Sequence, residues 1–230
     1  MSLRQVVKTG FTRMGYRLTR ESTFEAFVTD EARQMARAEA QRRDRQAATD
    51  GSLTDEEYAF LRELVREASA LPGPIIEIGT LFGRTTSKIA LWKAPRKKII
   101  TVDNYCWNPL LLSPEWHYHI TELVLQHLRE SGQVIQVRAD KDEWFNRYDG
   151  EAPALVFCDA DHQYEPTVRD IEFALRVGAQ IICGHDYAPQ HPGTMRAVDE
   201  HGGYRALKGS VWVLCAPERL HASRTHRTYV

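Results

Sequence analysis

Two short stretches of the 230-residue chain gather acids and imidazoles directly after apolar runs. Leu155-Val156-Phe157-Cys158 leads into Asp159-Ala160-Asp161-His162-Gln163-Tyr164-Glu165, and Gln180-Ile181-Ile182-Cys183 leads into Gly184-His185-Asp186-Tyr187. Carboxylates collected at one place repel one another unless a cation or a proton sits among them. Oxygen-rich ligation suits Mg²⁺ or Mn²⁺, and one imidazole tilts the choice toward Mn²⁺ or Fe²⁺. Taken singly, each residue has a plainer use: an Asp after a strand caps the next helix, and a lone His hydrogen-bonds a loop. Taken as a pair of clusters they favour a site, because catalytic groups concentrate where the strands of an open α/β sheet end.

A second constellation lies earlier, in Ile75-Ile76-Glu77-Ile78-Gly79-Thr80-Leu81-Phe82-Gly83-Arg84-Thr85. Gly79 and Gly83 let the backbone approach a ligand with no Cβ in the way. Asp103 follows the apolar run Ile99-Ile100-Thr101-Val102, where a carboxylate can accept both hydroxyls of a ribose. A dinucleotide site would show G-x-G-x-x-G and lay backbone amides on a pyrophosphate. Here the spacing is G-x-x-x-G, and Glu77 stands two positions before the first glycine. An acid there repels a pyrophosphate and suits a ligand carrying an ammonium and a sulfonium.

Alternating elements must position these residues. Apolar runs at 75–78, 99–102, 133–137, 154–158, 180–183, 204–207 and 210–215 predict seven strands. Helices are predicted over 84–93, 116–130, 164–176 and 194–201. That alternation predicts a doubly wound, mostly parallel sheet covered on both faces. Lys208-Gly209 is too short for a parallel crossover, so the last two strands should form an antiparallel hairpin. Before the sheet, Thr54-x-x-Glu57 forms a capping box for an amphipathic helix over 55–70, stopped by Pro72-Gly73-Pro74. The organisation expected is an N-terminal helical extension or lid (1–50), the main domain (51–217) and a polar tail (218–230). Residues 1–20 place Leu3, Val7, Phe11, Met14 and Leu18 at helical spacing among Arg4, Lys8, Arg13, Arg17 and Arg20. Such a stripe suits a helix packed on the main domain, a lid, or weak contact with a membrane surface.

Composition narrows the class. A hydrophobic share of 43% supports one sizeable core, and a formal net charge of −1 gives no field that would draw nucleic acid. The four cysteines are far apart and form no CxxC pair, which argues for a reducing compartment and against a zinc knuckle. The chain has neither an apolar run long enough to span a bilayer nor a secretory signal, so a cytoplasmic location is expected.

E-x-G-x-x-x-G followed by a strand-ending Asp resembles motif I and the next acidic motif of class I S-adenosylmethionine-dependent methyltransferases. D-x-D-H-x-Y-E, H-D-Y and then Gly193-Thr194-Met195-Arg196-Ala197-Val198-Asp199-Glu200 resemble the small-molecule subgroup that includes the macrolide-sugar (macrocin-type) O-methyltransferases. The resemblance covers about residues 75–215 and implies a Rossmann-like sheet binding S-adenosylmethionine on the loop Glu77–Thr85, Thr80 included. It implies Gly79 and Gly83 along the amino-acid end of the cofactor, Glu77 supporting the loop, Asp103 on the ribose, Asp140 near the adenine and Asp159 beside the cofactor. It also implies Asp159, His185 and Asp186 as ligands of a divalent cation, Mg²⁺ or Mn²⁺. Two departures stand out: Ala160 replaces a usual glycine, and His185 stands where metal-dependent members have an oxygen ligand.

Methyl transfer to oxygen is an in-line displacement that needs the acceptor held close and its proton removed. His162 is the leading base, with Asp159 the other catalytic candidate, and a divalent ion would lower the pKa of a bound hydroxyl. The acceptor, a small molecule or sugar, is expected under Asn104–Trp116, where Tyr105, Trp107, Leu110, Leu111, Leu112 and Trp116 crowd one loop. A homo-oligomer is compatible with this reading. The rivals are a metal-independent or N-directed methyltransferase, a nicotinamide-dependent oxidoreductase, and a catalytically silent partner subunit.

Overall fold

Thr54 opens the first helix as expected: its side chain accepts from the Glu57 amide, and the Glu57 carboxylate accepts from the Thr54 amide. The computed structural model describes residues 53–214, so the extension 1–50, its basic stripe and the tail 218–230 lie outside the described residues. Helix α1 (Asp55–Ser69) buries Tyr58, Leu61, Leu64, Val65 and Ala68. There follow β1 (Ile75–Ile78), α2 (Arg84–Trp92), β2 (Ile99–Asp103), α3 (Pro114–Glu130), β3 (Val134–Arg138) and α4 (Lys141–Arg147). The chain continues through β4 (Leu155–Cys158), α5 (Tyr164–Arg176), β5 (Ile181–Gly184), α6 (Pro192–Glu200), β6 (Tyr204–Lys208) and β7 (Val211–Leu214).

All seven strands form one sheet in the order β3-β2-β1-β4-β5-β7-β6. The first five run parallel, and β7 is antiparallel to both β5 and β6, which gives the hairpin expected from Lys208-Gly209. Strands β1, β4, β5 and β7 are buried along their whole length because helices cover both faces. One core cluster joins α1 to Ile75, Ile99, Leu155 and Phe157. The other joins Phe145, Ile171, Phe173 and Val198 to Ile76, Ile78, Val156, Ile182 and Trp212. No helix among the described residues is long and apolar enough to cross a membrane.

Helix α4 is absent from the pattern reading. Seven residues are too few for a 3.6-residue period to show, and only Trp144 and Phe145 are apolar. Its stability comes from tertiary contact: Phe145 stacks on Phe173 with ring centroids 4.0 Å apart. Helix α6 begins at Pro192, two residues before the expected start, with proline in the first turn where no intrahelical N–H is needed.

The chain leaves β1 toward β2 on one side, while β4 occupies the other, so the crevice at their carboxyl ends is the topological switch point. Gly79 follows β1 there, its amide donating to the Val102 carbonyl at 2.9 Å, and Asp159 follows β4, its amide donating to Ile78 at 2.8 Å. The two loops touch: a Cβ on Gly79, whose φ is +100°, would collide with the Asp159 carbonyl oxygen. Gly79→Ala should therefore lower stability by about 2–4 kcal/mol, from left-handed strain plus the clash. Urea denaturation tests this, and an unchanged midpoint would mean that the loop relaxes freely.

Candidate active site

Glu77 sits within β1 and is completely buried. Its Oε2 accepts from the hydroxyls of Thr86 and, at 2.6 Å, Thr101, while Oε1 has no hydrogen-bond partner among the described residues. Burial pushes the Glu77 carboxyl up to about 8, against the opposing hydrogen bonds from Thr101 and Thr86. Asp103 closes the loop above it. Its Oδ2 accepts from the amides of Thr80 and Leu81, both at 2.9 Å, and its Oδ1 accepts from the Tyr105 amide at 2.7 Å. Three donors leave room for further bonds on a carboxylate with about four lone-pair sites. Thr80 Oγ1 lies 2.6 Å from Thr101 Oγ1, Thr85 Oγ1 lies 3.2 Å from the Tyr58 hydroxyl, and Gly83 opens α2 at φ 75°.

The acid–histidine clusters meet beside this loop. In register, Cys158 pairs with Gly184, so Asp159 and His185 emerge next to each other, and the His185 amide donates to the Cys158 carbonyl at 3.1 Å. Asp159 Oδ1 and Asp186 Oδ2 lie 3.4 and 3.3 Å from His185 Nδ1. The 2.9 Å bond from His162 Nδ1 to Asp186 Oδ2 is the tightest contact in the cluster, and His191 Nε2 stands 3.6 Å from Asp186 Oδ1. Trp212 Nε1 donates to the His185 carbonyl at 2.9 Å, and the Thr194 and Thr167 hydroxyls hold the carbonyls of His162 and Asp161. Asp186 adopts a left-handed φ of 61°, a conformation Asp tolerates better than most residues.

Charge in this cluster is balanced internally. Burial alone would lower His185, but its contacts with Asp159 and Asp186 outweigh burial and raise it to about 11. Burial alone would raise Asp186, yet His162 and His185 hold it well below the usual carboxylate range. Burial raises Asp159, with His185 opposing, and the bond to Asp186 raises His162.

The same residues fit a divalent metal. One donor atom each from Asp159, His185 and Asp186 lies within 4.8 Å of the others. Two carboxylate oxygens at 3.3–3.4 Å share one ring nitrogen, too far for well-formed hydrogen bonds and compatible with a common ligand between them. A cavity of about 10 Å³ adjoins the cluster, lined by Asp159, His162, Asp170 and His185. A larger cleft of about 550 Å³ opens at the opposite rim, around Pro74, Lys98 and Tyr148, and none of the acids or histidines of the cluster lines it.

Other expected site residues sit apart. Asp140 is exposed and caps α4, its Oδ1 accepting from the amides of Asp142 and Glu143. Asp161 Oδ1 accepts from the Gln163 amide, as a loop support would. Tyr105 is fully buried, and its hydroxyl accepts from Gln136, so it packs beneath the loop 104–116 instead of lining a pocket. Trp107, Leu110 and Leu111 are exposed by 66%, 65% and 93%. Sequence reasoning missed His191, which carries no spacing signal, and Glu57, which it used only as a capping residue. Glu57 Oε2 stands 3.5 Å from Nε2 of His185.

Residues 76–187 match the family model described as the methyltransferase domain. No curated protein matches the sequence. Solved structures do match. One is the O-methyltransferase from Bacillus cereus in complex with SAH (17% identity, 86% of this chain and 85% of that chain covered, TM-score 0.53). Another is a TDP-rhamnose 3′-O-methyltransferase of calicheamicin biosynthesis (17%, 86% and 96%, 0.54). A third is the O-methyltransferase TomG from Streptomyces achromogenes, involved in tomaymycin synthesis, in complex with SAM (17%, 88% and 87%, 0.51). At such identities the likeness to these structures is one of fold. The matched model describes a methyltransferase domain over residues 76–187, and the sheet that carries it has the fold of these solved structures. The chain is an enzyme of the methyltransferase class, and its structural neighbours are O-methyltransferases.

Glu77 makes the ligand-free protein sensitive to pH. The unfolded chain releases this proton near 4.5, whereas the folded chain keeps it to about 8. The contribution of Glu77 to stability is therefore complete below pH 4.5 and is lost as pH rises to about 8. At about 1.4 kcal/mol per pH unit, the loss amounts to a few kcal/mol. Compared with Glu77→Gln, the wild type should lose ground steadily over that window in urea denaturation. A constant difference between pH 5 and pH 8 would contradict a buried, protonated Glu77.

Proposed function

We propose that the protein transfers the methyl group of S-adenosylmethionine to a hydroxyl of a small molecule or sugar, assisted by a divalent cation. The observation that carries this reading is the convergence of Asp159, His185 and Asp186 beside the glycine loop, with His162 bonded to Asp186. Glu77, Gly79, Thr80, Gly83, Thr85 and Asp103 would hold the cofactor, with Asp140 toward its adenine and Asp159 toward its reacting end. The buried, unpartnered Oε1 of Glu77 supports this, as an acceptor for an ammonium group. Bound S-adenosylmethionine supplies a methyl group on a sulfonium.

Asp159, His185 and Asp186 would hold Mg²⁺ or Mn²⁺, which lowers the pKa of a coordinated hydroxyl. His162 donates Nδ1–H to Asp186, which leaves Nε2 to take the acceptor proton; its side chain is 39% exposed and can be reached from the rim. Trp107, Leu110 and Leu111 would offer the acceptor an apolar face. The sugar-directed neighbour favours a glycosyl acceptor.

One observation favours a second, metal-free reading. The Asp186–His162 pair, bonded at 2.9 Å, is a complete base without an ion. Methyl transfer from labelled cofactor to a panel of sugar and phenolic hydroxyls, with and without EDTA, separates the two. The metal reading expects EDTA to abolish transfer, Mn²⁺ or Mg²⁺ to restore it, and Asp159→Ala to lose about 100-fold or more. Full activity of Asp159→Ala in EDTA sinks the metal, and His162→Gln should then lose about 10²–10⁴-fold on its own. Calorimetric titration should show S-adenosylmethionine binding weakened at least about tenfold by Asp103→Ala, with no binding of NAD(H). Cofactor affinity indifferent to Asp103 would instead point to a silent partner subunit.

A further inference from the structure

Glu57 is held more firmly than a capping box requires. Its Oε2 accepts from the Thr54 amide at 2.8 Å and the Thr54 hydroxyl at 2.9 Å. Its Oε1 reaches the β6–β7 turn and accepts from the amide and hydroxyl of Ser210, at 2.7 and 2.8 Å. Gly209, at φ +57°, lacks the Cβ that would otherwise strike this carboxylate. Four donors therefore fix a buried anion in one place. Beside that place lies the far nitrogen of the site imidazole, with His185 Nε2 at 3.5 Å.

We infer that Glu57 is a positioning residue for His185: its fixed carboxylate selects the ring orientation and the tautomer that present Nδ1 to Asp159 and Asp186. A neutral imidazole protonates one nitrogen and offers the other's lone pair. A metal at Nδ1 displaces that nitrogen's proton, and an anion beside Nε2 favours keeping the ring's remaining proton there, which leaves the Nδ1 lone pair to the ion between the two carboxylates. Without Glu57, the proton can move to Nδ1 and bond to Asp186, and the nitrogen is closed to a metal. The role rests on the metal reading proposed above. It also accounts for a histidine at a ligand position, because the carboxylate behind the ring returns negative charge that a neutral ligand does not bring.

The test is Mn²⁺ binding by the full-length protein, followed by the EPR signal of free Mn²⁺, with thermal melts on every variant. Glu57→Gln should raise the Mn²⁺ Kd about 10–100-fold, as loss of an outer carboxylate does elsewhere. Glu57→Asp keeps the charge but withdraws it by one methylene, and should give a smaller loss in the same direction. It carries the test if Glu57→Gln fails to fold. Thr54→Ala weakens the capping box but leaves the carboxylate beside His185, so it should lower the melting temperature and change the Kd less than about threefold. An unchanged Kd in a folded Glu57 variant overturns the role, as does an equal loss in Thr54→Ala. Wild-type protein that binds Mn²⁺ no better than Asp159→Ala overturns the metal site itself, and this role with it.

Discussion

The carboxylates of Asp159 and Asp186 meet one ring nitrogen of His185 and that of Glu57 the other, in surroundings that exclude most water. Each such ion left alone would lose several kcal/mol of solvation, so the group persists only because positive charge and directed donors surround it. Glu57 takes four hydrogen bonds and lies at about 2, where those donors overcome its burial. Asp186 takes three imidazoles at its two oxygens. Asp159 has the fewest partners of the three and is the one pushed upward. Its need for a counter-charge is what a cofactor sulfonium or a divalent ion would answer.

Sheet order makes this grouping possible. Parallel pairing carries Ile78 level with Val102 and Cys158, and Cys158 level with Gly184, so all four carboxyl ends finish on one line. The next residues, Gly79, Asp103, Asp159 and His185, then stand at a common rim. Helix α1 lies outside this series and comes to it from the opposite end of the sequence, through its capping box and the final hairpin. The site is therefore a joint product of the parallel strands and of the two elements that flank them.

Much of this was legible in the residues. All seven strands and the antiparallel end followed from apolar runs and the Lys208-Gly209 turn, because buried parallel strands are apolar throughout. The convergence of Asp159, His185 and Asp186 followed from position alone: residues after neighbouring strands share a rim. What failed to show has physical reasons too. Helix α4 is too short for periodicity to reveal it. Gly79 pointed to a close approach, yet the nearest group is the carbonyl of Asp159, a packing demand with no local signature. Glu57 matched a capping motif completely, and that sufficient local explanation hid its contact across 153 residues with Ser210.

That contact has a bearing on how the protein is made. Synthesis delivers Glu57 early and Ser210 late, and between them the whole parallel sheet must form. Closing so long a loop is entropically unfavourable until the contacts around it are in place. A nascent chain can pair β1 through β5 and still lack the clamp behind His185. The imidazole is seated only when the last hairpin closes, so a truncated or stalled chain would carry the fold's core without a finished site.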